Sequence, residues 1–368
     1  MKPFHPLFAG ISLDRLHHNV SVIHKAAGVP LMPVIKANGY GHGAVKLARE
    51  LAGRKEVAAL CVGTVAEGVE LRVAGYKGRI VLLDWAFPQQ AKVVAEQGLE
   101  VTVSSVEGAK AIARKAPKGK PAPVHVKINT GMTRLGADAD HAVDMYGRIA
   151  GLKGVKIVGI MTHLADSSNG GGFTGKQINL FDDTLASIRA KGHILPPRHV
   201  ANSGGIFLHP ESRYDLVRPG ISLYGVQEFD GGNAGLKPVL GLKARVSLVR
   251  DVKKGGTVSY GMRWVSPGRR KVAVASIGYA DGYQRAASGK ARAIINGEYA
   301  LQIGTICMDS SMFDVTGIDV KEGDIVTLIG EEGRKKVTAL ELARHAGTIA
   351  YEVLCGLGRR VTRVYSRD

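Results

Sequence analysis

The sequence predicts an α/β protein: an N-terminal eight-stranded parallel (β/α)8 barrel of the TIM type over residues 1–228, then a mainly β domain over residues 229–368. Three observations carry this. Short β-branched runs alternate with amphipathic stretches up to about Gly225, the rhythm of βαβ units around a parallel sheet. Eight such runs can be counted. Beyond them the pattern changes to strands separated by tight turns, and 368 residues exceed what one hydrophobic core usually supports.

In chain order, the eight barrel strands are expected at 30–36, 57–63, 79–84, 99–103, 123–129, 155–161, 198–202 and 214–218. Several are near-continuous apolar runs, suited to burial on both faces. A first helix over 12–26 places Leu13, Leu16, Val20 and Ile23 on one face. At Thr64-Val-Ala-Glu67 the threonine can cap a helix while the glutamate reaches back to the cap amide, and Gly75 supplies the stop. A long helix is expected over 174–191, ending at Gly192. A linker falls in 227–236, where Gly231-Gly-Asn-Ala-Gly235 lacks apolar periodicity. Strands follow at 243–252, 271–278, 291–295, 299–303, 325–330 and 360–365, with a helix at 338–346. Asn296-Gly297 marks a hairpin.

Composition excludes several classes. With 45% hydrophobic and 22% charged residues the chain is too apolar to be disordered. No run nears the roughly 20 apolar residues of a membrane span, and the N-terminus lacks the apolar core of a secretory signal, so a cytoplasmic protein is expected. Cys61, Cys307 and Cys355 are few, odd and far apart, against a disulfide framework or a structural metal site. The net charge of +18 raises the possibility of nucleic acid as partner. However, pairs such as Lys253-Lys254 and Arg269-Arg270 sit beside Gly or Pro, as solvated loop tips do, and aromatics are only 6%. Neither nucleic acid nor a membrane is expected as a partner.

In such a barrel, chemistry sits at the C-terminal ends of the strands. The first strand ends in Val34-Ile-Lys36-Ala-Asn-Gly-Tyr40-Gly-His-Gly43, so a lysine closes an apolar run and a glycine-rich turn follows. That describes a partly desolvated amine, suited to Schiff-base chemistry, although a strand-end lysine is commonly just solvated. Later ends add Lys127, Asn129 and Arg134, then His163, then Asn202-Ser203-Gly204-Gly205, then Arg218-Pro219-Gly220-Ile221. The last two are glycine-bearing loops at the usual phosphate position of such barrels. Each alone is weak, and His163 or Arg218 could be purely structural; convergence on one rim makes the site.

Together with Gly131-Met-Thr-Arg134-Leu-Gly136, Ser259-Tyr260-Gly261, Gly278-Tyr279-Ala-Asp-Gly282, Cys307-Met308-Asp309 and Tyr351-Glu352, these segments resemble the alanine racemases, a family of fold-type III pyridoxal-phosphate enzymes. The likeness spans nearly the whole chain. It implies that Lys36 carries pyridoxal 5'-phosphate and is one of two bases, and that Tyr260 is the other, reaching the site from the partner of a homodimer. It implies that Tyr40, Asn202, Ser203, Gly220, Ile221 and Tyr351 lie around the phosphate, with Arg218 at the pyridine nitrogen and His163 beside the ring. Arg134 would serve the cofactor and the substrate carboxylate, Met308 would offer its amide to that carboxylate, and Tyr279 would narrow the entrance. Lys127 matches a position often carbamylated. The implied activity is interconversion of L- and D-alanine for peptidoglycan; the alternatives are a broader racemase acting on serine, for example, or a fold-type III decarboxylase. A tyrosine ordinarily titrates near 10, so as a base near neutrality Tyr260 needs cationic neighbours, for which His163 and Arg218 are the candidates.

Three positions depart from the family's pattern. Asn129 stands where an aspartate is common, Phe8-Ala-Gly-Ile11 lacks a common Trp and Glu, and 167–173 is looser than usual. None of these touches the expected bases.

Overall fold

The computed structural model describes residues 5–367. Strands Leu60–Val62, Ile80–Leu82, Glu100–Val103, Ala122–Asn129, Val155–Met161 and Arg198–His199 pair in that order, all parallel, as a curled sheet. Helices such as Val65–Val73, Val106–Ala113, Ala139–Ala150 and Gly172–Ala190 connect them, as βαβ units require.

Eight regular strands were expected, and the first and eighth differ. Segments 30–36 and 214–218 form no ladder; single parallel bridges join Leu31 to Val57 and to Val217, Val34 to Cys61, and His199 to Leu216. The reason is local. Pro30, Pro33 and Pro219 have no amide hydrogen to give, so only the alternate groups bond, among them Met32 N to Val217 O at 2.7 Å and Ile35 N to Cys61 O at 2.9 Å.

The second sheet has nine strands, from Lys335–Val337 at one edge to Thr362–Ser366 at the other, and curls until Ile325–Glu332 also pairs with Leu240–Val252. The Asn296-Gly297 hairpin forms as expected, with both residues at positive φ. Sequence reasoning assigns no strand to Leu7–Ser12, yet this segment lies between Leu240–Val252 and Thr362–Ser366. The first and last strands among the described residues therefore lie side by side in one sheet.

Ser12 then caps the helix Leu13–Ala27, whose buried Leu16, Val20 and Ile23 enter the core. Buried Asn19 ties the linker down: its Nδ2 donates to Leu223 O at 3.1 Å and Lys237 O at 2.8 Å, and its Oδ1 accepts from Lys237 N at 2.8 Å. One continuous apolar cluster runs from Leu7 through the parallel sheet to Val361. No helix among the described residues is long and apolar enough to cross a membrane.

Candidate active site

The capping box at Thr64 and Glu67 forms, and it does more than end a helix. Glu67 Oε2 accepts from the amides of Gly63 and Thr64, and its Oε1 accepts from Ala37 N at 2.7 Å. It thereby grips the residue next to Lys36.

That grip is needed because the turn after Lys36 is left-handed. Ala37, Asn38, Gly39 and Tyr40 have φ of 51, 54, 62 and 49°. For the three residues with a Cβ this costs roughly 1–2 kcal/mol each. Compensation comes from three directions. Asn38 Oδ1 accepts from Ala44 N at 3.0 Å, Arg363 Nε donates to Gly41 O at 2.9 Å, and Tyr365 Oη donates to His42 O at 3.0 Å. A Cβ on Gly41 would lie 2.1 Å from Leu354 O, so the end of the chain packs directly onto the lysine turn.

Lys36 opens into a cavity of about 130 Å³ lined also by Gly63, Leu83, Asp84, Lys127, Arg134, Leu135, Met161, His163 and Arg218. Four cationic side chains thus face one carboxylate, an imbalance that suits an anionic occupant. The structure brings together Lys36, Lys127, Arg134, His163 and Arg218. The side chains of Arg134 and Lys36 have no hydrogen-bond partner among the described residues. Asn129 holds the loop of Arg134 by accepting from Gly131 N at 3.1 Å and Thr133 N at 2.9 Å.

Arg218 is buried at 2% exposure. Its Nη1 donates to His199 O and His199 Nδ1, and its Nη2 to Thr162 O, Val200 O and, at 3.3 Å, His163 Nδ1. Among the described residues Nε alone of the guanidinium donors has no partner, which leaves it for the cavity that Arg218 lines. Burial and then Arg218 hold the His163 imidazole well below its ordinary pKa, so it is neutral. This corrects the expectation that His163 is a cationic neighbour. With Nδ1 accepting from Arg218, its proton sits on Nε2. Burial, with Arg218 and Arg134 next, brings the Lys127 amine down to about 8.

Beside the cavity, Tyr40 stacks on Tyr224 at 4.9 Å and meets Tyr351 at 5.7 Å between ring centroids. Burial raises the Tyr40 phenol, and burial and then Glu228 push Tyr351 up to about 12, so both stay protonated donors. A Cβ on Gly220 would come within 2.9 Å of Tyr40 Oη, so glycine is required for this approach. Ser203 Oγ accepts from Gly220 N at 3.0 Å and Ser222 N at 3.2 Å. The Gly220 amide is therefore already engaged, whereas that of Ile221 has no partner among the described residues. Asn202 caps the helix Ser203–Leu208 by accepting from Gly205 N, which assigns it to shaping the loop. Tyr40 Oη has no partner among the described residues although its side chain is buried. Hydroxyls and the Ile221 amide at one end, the Arg218 Nε donor and an amine at the other fit a phosphorylated pyridine aldehyde.

Tyr260, Tyr279 and Met308 lie elsewhere. They gather on the second sheet around 305–308: Thr305 Oγ1 donates to Tyr260 O, Tyr279 N to Cys307 O, and Ala280 N to Met308 O. None lines the Lys36 cavity, and Tyr260 is 72% exposed. The Met308 amide has no partner among the described residues.

Sequence reasoning missed Asp84 in the cavity and the buried Glu100, His125 and His199 beneath it. His125 carries a readable signal, since it shares a strand face with Lys127.

Residues 11–228 match the family model described as alanine racemase, N-terminal domain, and 239–365 that described as alanine racemase, C-terminal domain. An alanine racemase of Symbiobacterium thermophilum is 38% identical over 371 residues, covering 99% of this chain and 98% of the relative. One of Desulforamulus reducens is 39% identical over 369 residues, covering 98% and 99%. Among solved structures, an alanine racemase of Clostridium difficile 630 superposes with a TM-score of 0.94 at 36% identity, covering 100% of this chain and 97% of that one. The same protein in complex with cycloserine gives 0.91 at 34%, with the same coverage.

Proposed function

The chain belongs to the alanine racemase family, and from that membership we propose that it interconverts L- and D-alanine with pyridoxal 5'-phosphate, using Lys36 and Tyr260 as two bases on opposite faces of the α-carbon. The observation that carries this is the Lys36 cavity: an amine, an unpaired Arg134 and the Arg218 Nε donor converge in a pocket with surplus positive charge.

When bound, the cofactor withdraws the charge left by α-proton removal into its ring. Tyr40, Ser203, Tyr351 and the Ile221 amide would hold its phosphate. Arg218 would face the pyridine nitrogen with Nε–H; burial brings its guanidinium down to about 10, which still leaves it protonated near neutrality, a donor that keeps its proton. Arg134 Nη groups and the Met308 amide orient the substrate carboxylate. Lys36 Nζ takes or returns the proton on one face, and Tyr260 Oη on the other.

Tyr260 is exposed and apart from Lys36, which supports its arrival from a second copy. It would then meet the Nε2–H of neutral His163 at one end of its hydrogen bond, with the Arg218 charge behind. On this reading the functional unit is a homodimer whose sites are shared, each β domain completing its partner's barrel mouth, with the domain division at 228/229. The bridges through Leu31, Val34 and Leu216 support closure of the sheet into an eight-membered barrel. Lys127, with its lowered amine pKa, is the candidate for carbamylation. The enzyme would act in the cytoplasm, supplying D-alanine for peptidoglycan.

The test is borohydride reduction of the purified protein. Loss of its visible absorbance, with label recovered on the Lys36 peptide, supports the reading; a colourless protein unlabelled at Lys36 refutes it. A racemisation assay with alanine and serine separates the broader racemase.

A further inference from the structure

The interior of a parallel barrel is normally packed with branched apolar side chains, yet a line of polar groups runs through this curled parallel sheet. Arg79, just before the strand Ile80–Leu82, forks Glu100 with Nε to Oε1 at 2.6 Å and Nη2 to Oε2 at 2.9 Å. Glu100 Oε2 lies 2.9 Å from His125 Nε2, His125 Nδ1 lies 2.9 Å from His199 Nε2, and His199 Nδ1 lies 2.7 Å from Arg218 Nη1. Arg79 and Glu100 sit at strand starts and Arg218 at the opposite rim, so the line climbs from the floor of the sheet to the Lys36 cavity.

Chemistry allows this line one direction. Arginine has donors and no acceptor, so His199 Nδ1 is bare and its proton is on Nε2. That proton faces His125 Nδ1, which is then also bare, and the His125 proton on Nε2 faces Glu100. An ionised carboxylate accepts only, which closes the chain without a donor meeting a donor. Burial would raise Glu100, but hydrogen bonds from His125 and Arg79 hold it down at about 2. Burial lowers both histidines, so both imidazoles are neutral. Reversal at either histidine would set an N–H of His199 against Arg218 and turn the guanidinium.

We propose that Glu100, anchored by Arg79, is a positioning residue for the Lys36 cavity: through His125 and His199 it fixes both imidazole tautomers and so holds Arg218 with its Nε–H towards the cofactor. This rests on the cofactor reading above, but the tautomers can be read without any cofactor. A merely structural network would influence stability and leave cofactor binding alone.

The experiment is side-chain ¹⁵N NMR of the histidines in the cofactor-free and loaded protein, with equilibrium dialysis against pyridoxal 5'-phosphate. His125 and His199 are expected as Nε2–H tautomers that do not titrate between about pH 6 and 9. Glu100→Gln, which keeps an acceptor for His125, should retain the tautomers. Glu100→Leu should release them and weaken cofactor binding about tenfold. Finding His199 protonated on Nδ1 in the unaltered protein, a readout independent of whether any variant folds, would overturn the proposal. So would a folded Glu100→Leu variant with unchanged tautomers and unchanged binding. Failure of the protein to bind the cofactor at all, with tautomers as expected, would instead strike the cofactor reading.

Discussion

The amide of Ala37 donates to the carboxylate of Glu67 at 2.7 Å, tying the residue next to Lys36 to the first turn of the helix Val65–Val73. A charge-assisted bond to a strained backbone is worth about 1.5–3 kcal/mol. Glu67→Ala should therefore lower stability by about 2 kcal/mol through the combined loss of cap and grip. It should also speed cofactor loss on dialysis, because the turn carries both Lys36 and Tyr40. Denaturant midpoints and dialysis rates measure the two effects separately; a stability loss with unchanged retention would show that the turn needs no such support.

Arg218 serves three backbone carbonyls and two imidazoles from a buried position. Arg218→Glu strands those acceptors and adds a buried negative charge, so a destabilisation of about 3–5 kcal/mol is expected. A carboxyl can share a proton with the ring where arginine cannot, so the rate of keto-acid release relative to racemisation should rise. An unchanged product ratio would count against Arg218 as the determinant of reaction specificity.

Lys127 offers a pH dependence. Only its neutral amine adds carbon dioxide, and with the amine at about 8 that form is the minor one at pH 7 and the major one at pH 9. Intact-mass measurement in bicarbonate should show a gain of one carbon dioxide that grows over this range and disappears in Lys127→Ala. A mass that never changes would leave Lys127 as a plain cation.

Tyr260→Phe removes one proposed base and leaves the other. Exchange of the α-hydrogen with solvent deuterium should persist for one enantiomer of alanine and fall by a factor of about 10² or more for the other. Equal loss for both enantiomers would make Tyr260 a structural residue.

How far the sequence carried the reading can be seen in particular residues. The Thr64 cap, the Asn296-Gly297 hairpin and the apolar strands were legible because local chemistry decides them. The rim of Lys36, Arg134, His163 and Arg218 was legible because polar residues ended apolar runs. The charge of His163 was not, since it depends on burial beside Arg218, which only tertiary packing creates. Glu100 was not legible because its partners Arg79 and His125 lie 21 and 25 residues away. The strand Leu7–Ser12 was hidden for the same reason: its partners begin at Leu240 and Thr362. The incomplete ladder at 30–36 follows from Pro30 and Pro33, which were in view, but the strand was assigned from its apolar run.

The most direct test of a site shared between Lys36 and Tyr260 is to mix two inactive variants, Lys36→Ala and Tyr260→Phe, and allow subunits to exchange. If each site takes Lys36 from one chain and Tyr260 from the other, every heterodimer regains one intact site, and activity should recover to about a quarter of the unaltered enzyme's. If both residues act within one chain, no combination restores a complete site. A mixture that exchanges subunits and stays inactive would contradict the account.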